Sequence, residues 1–244
     1  MDLTIAYAPT DHLDSGSAAN LALRLAGSKS GAYEAVFSND IANLKYEQLK
    51  KFDAVYLNNT VGQVFLAPEV RASLIRYVRE GGGLAGHHGT SHAAQDWPEF
   101  GEMLGARGGS HKSSHEKAMI HLDDPKSPLN ASFHGRDFEF VDEFYRFMPE
   151  GPYSREKVHV LMSIDTAKTD MNQLPGCPQC QRPDNDYAIS WIRNYGQGRV
   201  FYLSLGHNPT IFMTPAFFEH VLAGIQFVLG DLAADATPSS PLRR

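Results

Sequence analysis

Residues able to carry protons or hold a metal gather at four places in this chain. They are Gly86-His87-His88-Gly89-Thr90-Ser91-His92, Gly108-Gly109-Ser110-His111-Lys112-Ser113-Ser114-His115-Glu116, Asp142-Glu143-Phe144-Tyr145 and Gly206-His207-Asn208-Pro209. Neutral imidazole exchanges a proton near neutral pH and also ligates divalent transition metals. His88, His111 and His207, if brought together from separate segments, would make either a metal site, with zinc as one candidate ion, or an acid/base site. His87 and His88 are adjacent, so on a continuing strand they point to opposite faces, and at most one enters a shared pocket while the other packs inside. His111 and His115 have the spacing that would put two imidazoles on one helix face, yet the glycines and serines around them favour a loop.

Other candidates have plainer readings. Asp96, with Glu99 three residues on, forms a capping box for a helix running to Gly105, and ligand binding by Asp96 stays open beside it. Cys177-Pro178-Gln179-Cys180 has redox or half-zinc spacing, but no second such pair completes a zinc set. Stapling of a local loop is the first reading there, with a thiol pair or a partial metal site as alternatives. The sequence contains no GxSxG elbow, no Walker loop and no GxGxxG after its first strand, so the common nucleophile and phosphate-binding devices are missing.

Periodicity shows what must position these residues. Strand-like runs over residues 3–8, 32–37, 53–57 and 84–88 alternate with helix-like runs over 17–26 and from Pro68 onward. Pro68 suits a first helical position, Leu74, Ile75 and Val78 supply a buried stripe, and Gly81-Gly82-Gly83 can take the positive φ that ends the helix. Strict alternation requires right-handed crossovers, hence an α/β fold: a doubly wound, mostly parallel sheet with helices on both faces. Further strands are expected over 117–122, 158–165, 187–191 and 199–205, then an amphipathic helix from Thr214-Pro215 to Gly230. In open parallel sheets the ligand meets the carboxyl ends of the strands, and the four clusters fall at such exits.

The 22 Lys+Arg against 28 Asp+Glu give a formal charge of −6. With no long basic run, the chain is not built to neutralise nucleic-acid phosphates. No stretch approaches the about 18 to 20 apolar residues of a membrane span. Neither nucleic acid nor membrane is expected as a partner, and a homo-oligomer is left open. The N-terminus lacks the features of a secretory signal, so a cytoplasmic location is expected, or a periplasmic or secreted one if a signal has been removed. One domain over residues 1–232 and a flexible polar tail over 233–244 is the expected organisation.

A family resemblance rests on particular blocks. Gly81-Gly82-Gly83-Leu84-Ala85-Gly86-His87-His88-Gly89, Asp96-Trp97-Pro98, Gly101-Glu102-Met103-Leu104-Gly105-Ala106, Asp142-Glu143-Phe144-Tyr145, Gly196-Gln197-Gly198-Arg199-Val200-Phe201-Tyr202 and Ser204-Leu205-Gly206-His207 resemble, in order and spacing over nearly the whole chain, the ThuA-like family of trehalose-utilisation proteins. The resemblance implies a flavodoxin-like sheet similar to that of class I glutamine amidotransferases. Those enzymes carry a nucleophilic Cys at the turn where this sequence has His88. Amidotransferase chemistry is therefore not expected, because without a thiolate there is no acyl acceptor.

The resemblance also implies a bacterial sugar-processing enzyme, acting on trehalose or another disaccharide that passes through a 3-keto form. A keto group acidifies the proton beside it, so a histidine base, with a metal or cation to stabilise the enolate, would drive elimination or hydration at the glycosidic bond: a hydrolase or lyase. On this reading His88 works with Glu143 or Asp142 as base or supporting partner. Trp97, Asp96 and Tyr145 meet the sugar, and His88, His111 and His207 hold a divalent metal such as zinc. Trp97 and Tyr145 are equally readable as core aromatics. The competing reading is a non-catalytic sugar-binding or scaffold protein that kept the fold and lost the nucleophile. A glycosidase with two carboxylates about 5 to 9 Å apart is a third.

Overall fold

The computed structural model describes residues 2–7, 13–172 and 181–242; Cys177 and Cys180, and the stapled loop expected of them, lie outside these. Among the described residues nine strands form one sheet. β1 (Asp2–Tyr7), β2 (Glu34–Ser38), β3 (Ala54–Asn58) and β4 (Gly83–His87) run parallel in the order β2-β1-β3-β4. The sheet contains four more strands in chain order, β5 (Glu116–Leu122), β6 (Phe138–Asp142), β7 (His159–Ile164) and β8 (Ala188–Tyr195), and ends with β9 (Gly198–Leu203). β9 lies parallel to β4, and beyond it β8, β7, β5 and β6 follow, each antiparallel to its neighbour.

The α/β, flavodoxin-like expectation holds in the parallel half, and the rest is an antiparallel extension of the same sheet. Its cause is local. Tyr195 pairs with Gly198, so only Gly196-Gln197 joins β8 to β9, and Gly196 takes a φ of 62°. Two residues can turn a hairpin but cannot make the crossover that a parallel pair needs.

Alternate residues of the central strands feed two cores. Tyr56, Ala85, Phe201 and Leu203 face α1 (Leu13–Ser30) and the later helix α6 (Pro215–Leu229). Val55, Leu57, Leu84, Val200 and Tyr202 face α3 (Pro68–Arg79) and α4 (Pro98–Leu104). Short helices α2 (Tyr46–Leu49) and α5 (Thr210–Met213) fill connections on these two sides. Pro68 begins α3, and Gly230, at a φ of 92°, closes α6 as its sequence suggests. No helix among the described residues is long and apolar enough to cross a membrane.

The tail departs from expectation. The Ser239 N–H donates to the Val158 carbonyl at 3.0 Å, the Val160 N–H to Ser239 Oγ at 2.9 Å, and His159 Nδ1 meets the Thr237 carbonyl at 2.7 Å. Ala234 and Ala236 pack on the first core. A polar composition suggested a loose end, but these bonds lay the segment along β7.

Candidate active site

The centre of the site is the turn leaving β4. His87 ends the strand, and His88 takes a φ of 42° in the left-handed region. The turn can fold back on its strand because Gly86 has no side chain; a Cβ there would stand 2.8 Å from Thr90 Cγ2. Thr90 Oγ1 then lies 2.9 Å from both the Leu57 and His87 carbonyls and shares its one hydrogen between them, locking the turn. The two adjacent histidines separate because β4 ends between them, with His88 already in the left-handed turn. His87 is fully buried, its Nδ1 3.1 Å from the Tyr56 hydroxyl and its ring against Phe212, while His88 enters the site.

His88 Nδ1 lies 3.0 Å from the Ser204 carbonyl. A carbonyl only accepts, so Nδ1 carries hydrogen and Nε2 is the working nitrogen. Nε2 stands 3.1 Å from the Tyr145 hydroxyl and 3.5 Å from Glu143 Oε1. The His88 and Tyr145 rings stack at 4.6 Å, and the His207 ring meets His88 edge-on at 5.2 Å. The Tyr202 hydroxyl donates to the His88 carbonyl at 2.6 Å from below.

Glu143 is where the histidines converge. Its Oε2 lies 3.1 Å from His111 Nδ1 and 3.3 Å from His207 Nδ1. Burial, reinforced by repulsion from neighbouring Asp142, pushes the Glu143 carboxyl up to about 7, while a hydrogen bond from Tyr145 works against the rise. The Tyr145 phenol is held protonated, chiefly by burial. It has one proton for two acceptors, Glu143 and His88 Nε2, so a proton arriving on either of these completes the network.

The loops are tied into place. Gly108 N–H donates to the Ser91 carbonyl at 2.7 Å, and Ser91 Oγ returns a bond to the Gly108 carbonyl at 2.8 Å. Gly109, at a φ of 134°, lets the loop run close over Tyr145; a Cβ there would stand 2.9 Å from Tyr145 Cβ. Ser110 and Arg146 exchange backbone bonds at 3.0 and 2.7 Å, and the buried Arg146 guanidinium grips both oxygens of Glu116. His111 is thus carried to Glu143 on a fixed loop.

Three expected roles change. Asp142 is fully buried and accepts the backbone N–H groups of Glu143 and Gly206 at 2.8 Å and of Asn208 at 3.0 Å. Burial outweighs these amides and pushes its carboxyl up to about 6. Asp142 holds the loop that carries His207 and is not placed as a base. Asp96 does not cap α4, whose preceding residue Trp97 makes no side-chain cap bond; it pairs with Arg71 at 2.7 Å on the surface and is not among the groups gathered around Glu143. Trp97 is buried among Phe65 and Phe100 with the Arg71 guanidinium over its ring, as a core aromatic. Tyr145 does belong to the site.

His88, His207 and Glu143 each offer a ligand atom, and these atoms lie within 4.8 Å of one another. Two imidazoles and a carboxylate are a donor set that suits a divalent transition metal, and the Nδ1–H of His88 held by a carbonyl is the support such ligands use. Glu143 thus takes the place the sequence suggested for His111, which joins through Glu143 Oε2. Residues not foreseen are Tyr202, the Ser204 carbonyl and Asn59. Asn59 Oδ1 accepts the Gly89 N–H at 2.9 Å. In acyl transfer the amide after the nucleophile faces an oxyanion; here a side chain has taken it. Nothing in the sequence distinguishes Asn59 from an ordinary loop asparagine.

The family model described as trehalose utilisation, ThuA, matches residues 5–228. The chain belongs to the ThuA family. Solved structures similar to this ThuA-family chain include a ThuA-like protein from Bacteroides uniformis, with a TM-score of 0.73 at 20% identity over 93% of this chain and 91% of that one. A ThuA-like protein from Parabacteroides merdae gives 0.70 at 16% identity, over 96% and 92%. Cytoplasmic protein STM3548 from Salmonella typhimurium gives 0.58 at 13% identity, over 93% and 98%. Comparison with curated proteins gave no sequence match. Family membership ties the ThuA chain to carbohydrate utilisation; the structural likenesses speak to its fold.

Proposed function

We propose that this ThuA-family chain cleaves a keto-disaccharide by proton abstraction beside the carbonyl, followed by loss of the glycosidic oxygen. The observation that carries the reading is Glu143: a buried carboxylate, pushed up to about 7, with His111 and His207 nitrogens within 3.3 Å. Such a group takes and returns protons at neutral pH. Glu143 takes the proton from the carbon between the keto group and the glycosidic carbon. The Tyr145 hydroxyl, beside His88, donates to the oxygen on which negative charge develops. His207 or His111, once protonated, delivers its proton to the departing oxygen, and water then adds to the unsaturated sugar.

The donor set of His88, His207 and Glu143 also fits a divalent cation such as zinc. A cation held there would supply Lewis-acid stabilisation of the enolate oxygen in place of the Tyr145 hydroxyl, and Glu143 and His207 would then serve as its ligands instead of carrying protons. Asp142 is occupied with backbone amides, which removes the neighbouring carboxylate from a two-carboxylate glycosidase mechanism.

The test is turnover of 3-keto-trehalose against trehalose by the purified chain, followed as glucose release. Release from the keto-sugar alone is expected, reduced by about 10²- to 10⁴-fold in Glu143→Gln and His207→Ala at unchanged folding. Equal release from both sugars, or binding without turnover, overturns the reading; the latter outcome supports the sugar-binding alternative.

A further inference from the structure

We propose that a second cavity, at the opposite end of the sheet from the imidazoles, binds a small ligand carrying a phosphate-type anion. The cavity holds about 800 Å³ and lies between the end of β8, the start of β9 and the tail segment that follows α6. Arg199 pairs with Gly83 at the first residue of β4, whereas His87 at the strand's other end pairs with Leu203. The two sites are therefore separated by the length of the central strands, and this proposal does not depend on the keto-sugar reading.

Three cations from separate parts of the chain reach the cavity: Lys157 before β7, Arg193 on β8 and Arg199 on β9. Two carboxylates, Glu102 and Asp235, stand against these three cations, which leaves the cavity with a net positive charge. Lys157 pairs with Glu102 at 3.3 Å, with both groups about half exposed. Arg193 spends one N–H on the Glu102 carbonyl at 2.6 Å, its Nε–H reaches the Asn194 carbonyl at 3.5 Å, and its guanidinium lies near the Tyr195 ring. Among the described residues Arg199 Nε is buried without a hydrogen-bond acceptor. Burial holds Arg193 below the usual arginine range, against the attraction of the Glu102 carboxylate. Asp235, the acid in the lining, accepts the Thr237 N–H at 2.8 Å within its own turn.

Guanidinium forks and an ammonium match the oxygens of phosphate. The volume falls in the range of small-molecule sites and exceeds what a bare phosphate fills. The lining also includes the uncharged Leu232, Ala233, Ala234 and Ala236, which suit an uncharged body beside the anion. A sugar phosphate has this chemistry: an anionic head and a neutral ring.

The experiment is calorimetric titration of the full chain, at low ionic strength, with glucose 6-phosphate, inorganic phosphate and glucose. Glucose 6-phosphate is expected to bind, inorganic phosphate to compete with it, and glucose to give no heat at this site. Arg193→Gln and the exposed-site variant Lys157→Gln should each weaken binding about tenfold, the loss of one charge-assisted contact. Both should melt as wild type does, and Glu143→Gln should bind as wild type does. No binding of either anion to wild type at millimolar concentration overturns the proposal. So does undiminished affinity in both charge variants, or affinity lost in Glu143→Gln, which would place the anion in the catalytic cleft.

Discussion

The buried carboxylate of Asp142 accepts the Gly206 N–H at 2.8 Å, joining the end of β6 to the loop after β9 although β8, β7 and β5 stand between those strands in the sheet. This contact crosses the cleft instead of following the ladder. It aims His207 at Glu143, the residue next to Asp142.

Asp142→Asn should therefore cost activity, and should cost stability below about pH 4, where the wild-type carboxyl is neutral in both folded and unfolded chains and its replacement relieves no buried charge. The amide keeps one acceptor oxygen and turns an NH₂ toward backbone N–H groups that need an acceptor. Leaving such a donor buried and unpaired costs about 1 to 3 kcal/mol, or a fall in Tm of several degrees for a chain this long. Thermal melts in that acid range and keto-disaccharide turnover check this; a variant that melts and turns over like wild type would show that His207 is aimed by other contacts.

Glu143→Gln should stabilise the protein at neutral pH and not in acid. Folding raises this carboxyl from its ordinary 4.5 to about 7, so the folded state binds the proton more tightly. Its contribution is fully favourable below about 4.5 and is lost as pH rises through about 7. Glutamine does not titrate. In chelator-treated protein, the Tm of Glu143→Gln relative to wild type should climb between about pH 4.5 and pH 7 and then level off. A difference that stays flat with pH contradicts the raised pKa.

Metal content separates the donors. If the cation fits as the donor atoms suggest, protein dialysed against zinc retains about one equivalent, and His207→Ala loses most of it. His111→Ala loses less, since His111 reaches the site through Glu143 and lies outside the mutually close set. Equal retention by all three proteins places the metal elsewhere; none in any of them leaves acid/base work alone.

His220 supplies a test away from the cleft. It is fully buried, its Nδ1 2.7 Å from the Leu129 carbonyl and its Nε2 2.8 Å from Ser190 Oγ, and burial pushes it down to about 4. A depressed folded pKa means stability that is present above about 6.5 and lost as pH falls toward about 4. His220→Leu should lose hydrogen bonds at pH 7.5 yet show a shallower decline between pH 6.5 and pH 4 in denaturant titrations. Parallel declines in the two proteins would mean that His220 is charged in the fold.

Removing residues 233–244 should lower the Tm by several degrees. The Val160 N–H and Val158 carbonyl lose Ser239, and His159 loses the Thr237 carbonyl. Melts of the shortened and full chains decide; identical values would mean that these bonds merely replace water.

The elements of the parallel half were legible because their signals are local. Pro68 starts a helix and Gly230 stops one for reasons contained within a few residues. That at most one of His87 and His88 enters the site was also legible, though the cause is the left-handed turn at His88 and not a continuing strand. The antiparallel extension was less legible. Strand-like runs announce that they are strands, but their pairing depends on connections such as Gly196-Gln197 and on which edge remains open.

By itself, then, the sequence determined the strand and helix inventory of the parallel half, the grouping of histidines near strand ends, with His111 before β5 instead of after a strand, and the absence of a thiol at the central turn, all consequences of residue type and short-range spacing. Only tertiary structure decided that Glu143 and not Asp142 faces the imidazoles, that Asp96 and Trp97 stand with Arg71, and that the polar tail is bound. Those outcomes rest on burial and on partners far off in the chain, and a residue's type does not reveal which distant group will reach its side chain first.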